Sequence, residues 1–217
     1  IAIEAGFTGK IEFTSNQIKS FDAVIATGSD NSSRYFGYYF GKYPNIIRKN
    51  RNGVAIIKGD ETDQDLEALA DDIFQYYGLG CRNVSKIFVP NDYDFNPLLD
   101  ILSEQKTIIE NNKYFNNYEY NKAIFLVNSR EHFDAGTVLL VEEEKIASPV
   151  SVLNFEYYKE ENVLRNHLIL DADKIQCVVS NSDSIPDKVA FGKSQQPELW
   201  DYADGVDTVE FLLGLAE

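Results

Sequence analysis

The sequence contains no methionine and little cysteine or histidine, and its 20 basic side chains are outnumbered by 35 acidic ones. The resulting net charge of −15 repels phosphate backbones and anionic lipids. No apolar run approaches the roughly 18 to 20 residues that cross a bilayer, and the N-terminus lacks the layout of a signal peptide. We therefore expect a cytoplasmic protein with no membrane span and no nucleic-acid partner.

Cysteine and histidine are too sparse to build most metal centres. Cys81 and Cys177 lie far apart, and neither has a Cys or His neighbour at metal-ligand spacing, so the sequence predicts neither a metal site nor a disulfide framework. His132 and His167 are the only imidazoles, and both lie in contexts typical of surface or structural histidines. Because the chain begins at Ile1 and lacks methionine, we expect a fragment of a longer protein.

With 217 residues, the chain is long enough to bury a core of its own, and short β-branched runs alternate with amphipathic segments. The clearest helix is expected from Thr62 to about Tyr77, because Thr62 is a favourable N-cap and an apolar stripe follows it. Strand–helix alternation predicts an α/β fold, a three-layer αβα arrangement with a mainly parallel sheet. Strands are expected at 21–27, 53–57, 84–89, 137–141, 149–155, 167–170 and 174–179, and further helices at 33–40, from Asn96, and over 122–128, whose pattern also allows a strand.

The strongest candidate for chemistry is Cys81, which lies in the glycine-flanked segment 78–83 between a predicted helix end and a predicted strand. Loops at strand ends expose reactive groups in α/β sheets. A nucleophilic thiol needs access and thiolate character, and Arg82 and Lys86 are cations that would favour the thiolate. A small structural cysteine in a turn is the alternative for Cys81, whereas Cys177 is expected in the core.

Two other features are compatible with phosphate binding. Gly28 and Ser29 form a predicted strand-to-helix turn, where backbone N–H groups can contact a phosphate, but they do not form a GxGxxG motif, and an ordinary βα turn is the alternative. The basic residues Arg48, Lys49 and Arg51 suit a phosphate as well, with a solvated turn as the alternative.

Several segments, taken in order, resemble the aldehyde dehydrogenase superfamily. They are a strand ending ATGS, the strand GVAII, a long helix leading into a Gly-x-Gly-Cys loop, the strand IFVP, the run SPV and a closing FGKS. Longer segments resemble one branch, the bacterial acyl-CoA reductases of the LuxC type: DAVIATGSDNSSRYF, IIRKNR, GLGCRNVSK and ELWDYADGVDTVEF. This resemblance runs over nearly the whole chain and implies the C-terminal half to two-thirds of such an enzyme.

The resemblance implies that Cys81 is the nucleophile that attacks an acyl-CoA thioester, and that hydride from NADP(H), or alternatively NAD(H), releases the acyl group as an aldehyde. The backbone N–H of Cys81 would then be one donor to the tetrahedral oxyanion. Thr27, Gly28 and Ser29 match the turn that approaches the cofactor phosphates. Lys145 stands where the superfamily has a ribose-binding glutamate, and a cation there would suit a 2′-phosphate.

One departure from the family favours reduction. Residues 47–50 stand where aldehyde-oxidising members carry a general-base glutamate, and they contain no carboxylate to activate water. We therefore expect hydride reduction or transfer to CoA rather than net oxidation. The alternatives are an NAD(P)-dependent aldehyde or semialdehyde dehydrogenase, and a non-enzymatic acyl-binding or subunit-interaction module.

The same resemblance divides the chain into three segments. Residues 1–43 would be a remnant of the nicotinamide cofactor domain, residues 44–190 the catalytic domain, and residues 191–217 a C-terminal return. Residues 207–215 resemble the strand with which superfamily members pair between subunits, and an unpaired apolar edge promotes association. We therefore expect a homo-oligomer that works with acyl-CoA or an acyl-carrying partner.

Overall fold

The computed structural model of the protein describes residues 11–215. The predicted segments 1–43 and 191–217 therefore each extend beyond the described residues. The chain divides into two compact units, one formed by residues up to Lys49 together with those from Thr208, and the other by Asn50–Asp207.

The first unit contains a small parallel sheet. Strand β1 (Val24–Thr27) leads through a short turn into helix α1 (Asp30–Phe40), and strand β2 (Asn45–Arg48) returns beside β1 in parallel register. The Ser29 side chain accepts a hydrogen bond from the Ser32 N–H and so caps α1. The predicted strand–turn–helix unit is confirmed here.

A six-stranded sheet forms the centre of the second unit. Its strands are β3 (Asn52–Ile56), β4 (Val84–Pro90), β5 (Phe133–Asp134), β6 (Leu139–Glu142), β7 (Val152–Tyr158) and β8 (Ile175–Ser180). Their spatial order is β5-β6-β7-β4-β3-β8, and every neighbouring pair is parallel except β5 with β6. The prediction of a mainly parallel sheet is therefore confirmed, with β4 near its middle.

Helices cover both faces of this sheet. They are α2 (Asp63–Phe74), α3 (Asn96–Glu104), α4 (Asn112–Val127) and α5 (Glu161–Leu170). Leu69 of α2 and Leu98 of α3 pack in one cluster with Ile87 of β4, whereas Leu164 of α5 packs with Phe88 in a second cluster. Because successive side chains of a strand point to opposite faces, the predicted three-layer αβα arrangement is confirmed.

The N-terminus of α2 is capped as the sequence predicts. The Thr62 hydroxyl accepts the Asp65 N–H at 3.2 Å, and the Asp65 carboxylate accepts the Thr62 N–H at 3.0 Å. At the other end, α2 passes into a short 3₁₀ turn in which Tyr76 and Tyr77 adopt positive φ angles of 53° and 59°. The chain therefore leaves the helix abruptly, immediately before the glycine-flanked segment.

Two predicted strands are helices instead. Residues 167–170 belong to α5, whose Leu164 and Leu168 are buried one turn apart while Leu170 is 80% exposed. A four-residue apolar run has too few positions to separate the two periodicities, and packing of α5 on the sheet decided the matter. Residues 208–213 form the short helix α6 (Thr208–Leu213), so the prediction of a subunit-pairing strand at 207–215 is wrong. Among the described residues, no helix has the length and apolar character that crossing a bilayer requires.

Replacement of Thr62 by Ala removes the oxygen that caps α2. We expect the free energy of unfolding to fall by about 1 kcal/mol, which is typical for the loss of an N-cap hydroxyl. Urea titration followed by circular dichroism measures this change. Thr107→Ala is the control, because Thr107 is exposed and has no capping role, and an equal effect of both substitutions would contradict the capping role of Thr62.

Candidate active site

Cys81 lies exposed in a tight turn between the end of α2 and the start of β4. The turn is closed by two hydrogen bonds, from the Asn83 N–H to the Gly80 carbonyl at 3.1 Å and from the Gly80 N–H to Asn83 Oδ1 at 2.8 Å. A Cβ atom at Gly80 would lie only 2.7 Å from Asn83 Oδ1. Glycine is therefore required directly before the thiol, because any side chain would open the turn.

The buried side chain of Asn83 fastens this turn to α2. Its Nδ2 donates to the carbonyls of Asp72 and Gln75, at 3.0 and 2.8 Å. Asp72 lies in the last turn of α2 and Gln75 directly follows the helix, at the end where backbone acceptors have no partner within the helix itself. Asn83 thus satisfies the end of α2 and fixes the residue two positions after Cys81 at the same time.

Asp72 supports the turn from the opposite side. Its carboxylate accepts the N–H groups of Gly192 and Ser194 at 2.7 and 2.9 Å, and burial raises its pKa. The Ser194 carbonyl in turn accepts a hydrogen bond from Arg82 Nε. Residues 191–194, the FGKS segment, therefore pack behind the turn that carries Cys81.

The two cations predicted to favour the Cys81 thiolate have other partners. Arg82 donates to the Ser194 carbonyl. Lys86 is fully buried, with its Nζ 2.5 Å from Glu156 Oε2 and 2.7 Å from the Glu144 carbonyl. Its charge is balanced by Glu156, so the predicted role of Lys86 beside the thiol is wrong. Ser85 and Lys86 are neighbours on β4 and therefore point to opposite faces of the sheet. The sequence did not show which of these faces Lys86 occupies.

Cys177 is a core residue, as predicted. It lies on β8 with 8% of its surface exposed, and its thiol donates to the Arg82 carbonyl at 3.6 Å. Burial raises the pKa of Cys177 to about 11. The two thiols of the chain are therefore chemically distinct, since one is exposed and the other is desolvated.

The predicted cofactor residues are distributed over both units. Thr27 ends β1, the Gly28 N–H donates to the Arg48 carbonyl at 3.2 Å, and Ser29 caps α1, all within the first unit. Lys145 is exposed on the segment between β6 and β7 of the second unit, which also contains Cys81.

Arg48, at the end of β2, and Arg51, before β3, have structural partners. Arg51 donates to the carbonyls of Ala172 and Asp173 and forms an ion pair with Asp204 at 3.3 Å. Arg48 donates to Thr208 Oγ1 at 2.9 Å. These contacts favour a structural role over phosphate binding for this basic segment.

A separate groove lies at the carboxyl ends of the parallel strands, whereas Cys81 lies at their amino ends. It has a volume of about 590 Å³ and is found where β3, β4 and β7 end, with Lys58, Tyr93 and Tyr158 among its lining residues. Cys81 precedes the amino end of β4, and the six steps to its carboxyl end cover about 20 Å. The groove is therefore not part of the cysteine site. Within residues 11–215, no three His, Cys, Asp or Glu side chains are grouped as a metal site would need.

Sequence reasoning placed Cys81 in a turn between a helix and a strand, but it missed the groups that hold this turn. Asn83 reads as an ordinary loop residue, although an amide directly before a strand is a weak signal of a capping role. Asp72 is a charged residue close to the apolar stripe of α2, and Ser194 lies more than a hundred residues away in sequence. Only the tertiary structure brings these residues together.

Three solved structures illustrate what the fold is similar to. An NAD-dependent aldehyde dehydrogenase from Sinorhizobium meliloti is 13% identical, with 75% of this chain and 39% of that chain covered and a TM-score of 0.52. A mutant indole-3-acetaldehyde dehydrogenase from P. syringae, in complex with NAD+ and IAA, is 14% identical over 76% and 46% of the two chains, with a TM-score of 0.51. A mutant 1-pyrroline-5-carboxylate dehydrogenase from Thermus thermophilus is 12% identical over 75% and 39%, with a TM-score of 0.51.

These similarities establish an aldehyde-dehydrogenase-like fold. At 12 to 14% identity they show the fold alone, and the chain spans 39 to 46% of the length of those structures. No family model and no curated protein matches the sequence.

Alkylation distinguishes the two thiols. At pH 8 we expect iodoacetamide to modify Cys81 quickly and Cys177 hardly at all, because a thiol with a pKa of about 11 is ionised in only about one molecule in a thousand at that pH. Peptide mass spectrometry at timed intervals measures both rates. In urea the two rates should converge, and equal rates in the folded protein would contradict the assigned burial of Cys177.

Replacement of Asn83 by Ala leaves several buried backbone groups at the cysteine turn without partners. We expect a loss of about 2 to 3 kcal/mol in the free energy of unfolding, measured by urea titration. Asn117→Ala is the matched control, since Asn117 is exposed and bonds only within its own helix, and its effect should stay within about 0.5 kcal/mol. Equal losses would mean that Asn83 does not anchor the turn.

Proposed function

We propose that the chain carries the catalytic cysteine of a cytoplasmic NAD(P)H-dependent acyl-CoA reductase that uses an acyl-Cys81 intermediate. The observation that carries this proposal is the exposed thiol of Cys81 in a turn anchored on both sides, by Asn83 and by Ser194. A nucleophile held in this way is accessible and loses little freedom on reaction. The aldehyde-dehydrogenase-like fold supports the same class of chemistry.

The reaction has two halves. The Cys81 thiolate attacks the carbonyl carbon of the acyl-CoA thioester, the bond to the CoA sulfur breaks, and CoA leaves as a thiolate. The tetrahedral intermediate carries an oxyanion, which would accept a hydrogen bond from the Cys81 N–H. When bound, a reduced nicotinamide would supply the hydride that reduces the acyl carbon. The carbon–sulfur bond would then break, so that the aldehyde leaves and Cys81 is regained as a thiolate.

The residues proposed to hold the cofactor fit that role in part. The turn at Thr27, Gly28 and Ser29 leads into α1, whose 11 residues give its N-terminus a partial positive charge suited to phosphate. Because the Gly28 N–H is bonded to the Arg48 carbonyl, phosphate contacts would fall to the start of α1. Lys145 is an exposed cation, and its charge would suit an anionic or hydroxyl group of a nicotinamide cofactor.

An aldehyde dehydrogenase that forms free acid is the second candidate. Two aldehyde dehydrogenases, one of them NAD-dependent and the other bound to NAD+, share the fold. Hydrolysis of an acyl-cysteine needs a base to activate water, and residues 47–50 contain none. A non-enzymatic acyl-binding or subunit-interaction module is the third candidate. A homo-oligomer and an acyl-carrying partner belong to the leading proposal.

The proposed domain roles follow the same logic. We assign residues 1–43 to the remnant of the cofactor domain, 44–190 to the catalytic domain and 191–217 to the C-terminal return. The FGKS segment at the start of residues 191–217 packs on the turn that carries Cys81. The C-terminal return therefore contributes to the candidate site.

Mass spectrometry of the full-length protein after brief exposure to a long-chain acyl-CoA tests the proposal. We expect an acyl adduct on Cys81 that disappears on addition of NADPH while aldehyde forms. Cys81→Ala should abolish the adduct, and the matched variant Cys177→Ala should retain it.

Other results decide between the candidates. Equal labelling of the two variants would overturn the role of Cys81. Release of free acid from an aldehyde with NAD(P)+ and without CoA would favour the aldehyde dehydrogenase. No adduct on the folded protein, together with slow alkylation of Cys81, would favour the non-enzymatic module.

A further inference from the structure

The segment 143–151, between β6 and β7, is fixed by hydrogen bonds from side chains of the six-stranded sheet. Four successive backbone carbonyls of this segment each accept a hydrogen bond from a side chain of β4 or β7. The pairs are Lys86 Nζ with Glu144 O at 2.7 Å, Asn154 Nδ2 with Lys145 O at 2.9 Å and Ala147 O at 3.3 Å, and Ser85 Oγ with Ile146 O at 2.8 Å.

All three donors are removed from solvent. Lys86 is 0% exposed, Asn154 2% and Ser85 7%. Lys86 and Asn154 are direct partners in the β4–β7 register, so the two donors lie side by side on the sheet. Water cannot easily replace a buried donor, and the carbonyls of the segment are therefore fixed relative to β4 and β7.

Lys86 carries the only charge among these donors. Its Nζ is 2.5 Å from Glu156 Oε2 and lies 4.8 Å from the centre of the Phe88 ring. The other oxygen of Glu156 faces His167 Nδ1 at 3.8 Å. The Lys86 side chain is fully buried, whereas Glu156 keeps 26% of its side-chain surface exposed. Burying a charged group in an ion pair is weak evidence for a role in stability. The bond from Lys86 to the Glu144 carbonyl gives the charged group a second role, which is to fix the position of that carbonyl.

The held segment exposes some side chains and buries others. Ile146 is 5% exposed and packs in the core beneath, whereas Lys145 and Ala147 on either side of it are exposed. With its carbonyls turned to the sheet and Ile146 in the core, the segment presents Lys145 to solvent from a rigid base.

We propose that Lys86 is a positioning residue: by its bond to the Glu144 carbonyl it fixes the segment that presents Lys145 to the nicotinamide cofactor. The identity of this ligand rests on the proposed function, whereas the anchoring of the segment does not. Lys86 itself touches neither the cofactor nor Cys81 in this arrangement. Its loss should weaken cofactor binding and leave acylation of Cys81 intact.

The test replaces Lys86 by Met, which keeps the length of the side chain and removes the charge. In the full-length protein we expect amide hydrogen exchange of Glu143 and Val152 to become at least about tenfold faster while the rest of the sheet stays protected. The N–H groups of these two residues bond to the Phe155 and Pro149 carbonyls at the two ends of the segment. The KM for NADPH should rise about fivefold or more, and the rate of Cys81 acylation measured without cofactor should not change. Lys113→Met is the matched control, because Lys113 is exposed on α4, and it should alter none of these quantities.

A milder variant keeps the inference testable if Lys86→Met fails to fold. Ser85→Ala removes the hydroxyl that donates to Ile146 O at 2.8 Å and lies 3.4 Å from Gly53 O, and it leaves Lys86 in place. It should accelerate exchange in the same residues to a smaller extent. Unchanged exchange in the folded variants would overturn the anchoring role. Faster exchange with an unchanged KM would show that the segment does not serve the cofactor, which also overturns the proposal.

The two proposals fail in different ways. A wild-type protein that binds no nicotinamide and forms no acyl adduct would contradict the proposed function and, with it, the assignment of the ligand. The exchange rates would still decide whether Lys86 anchors the segment. If the enzyme is active but Lys86→Met changes neither the exchange rates nor the KM for NADPH, the positioning role alone is contradicted.

Discussion

The side chain of Asn83 is the constraint on which the candidate site depends. Its amide nitrogen donates to the carbonyls of Asp72 in α2 and of Gln75 directly after it, and its amide oxygen accepts a hydrogen bond from the Gly80 N–H. Its backbone carbonyl accepts a hydrogen bond from the Gly53 N–H of β3 at 2.9 Å. A helix end, the cysteine turn and two strands thus meet at one residue. Because the polar groups at this buried position are satisfied together, the turn cannot shift without breaking several bonds at once.

Strand β4 connects the two parts of the proposed site. The turn that carries Cys81 leads directly into it, and Ser85 and Lys86 near its start hold the segment that presents Lys145. β4 lies between β7 and β3 near the middle of the sheet, with helices on both faces. Rigid elements of this kind position functional groups more precisely than mobile loops do. The groove at the far end of the same strand is a separate feature.

The sequence predicted several local features correctly, most directly α2, where a capping threonine and an apolar stripe agree. The capped helix after Thr62, the helix favoured over 122–128 and the core position of Cys177 are all confirmed. The strands expected at 167–170 and 207–215 are helices, because short apolar runs carry no clear period and packing decides their state. The cation Lys86 was assigned to the thiol from its proximity in sequence, but its side chain pairs with Glu156.

By itself the sequence determined the α/β class, the placement of Cys81 after a glycine in a helix-to-strand turn, and the acidic character of the surface. These properties depend on residue type and on neighbours within a few positions. The tertiary structure alone decided which groups hold that turn and which partners the nearby cations Arg82 and Lys86 take. Asp72, Asn83 and Ser194 come together only when α2, β4 and the FGKS segment pack, and hydrogen bonds between residues so distant in sequence leave no local pattern to read.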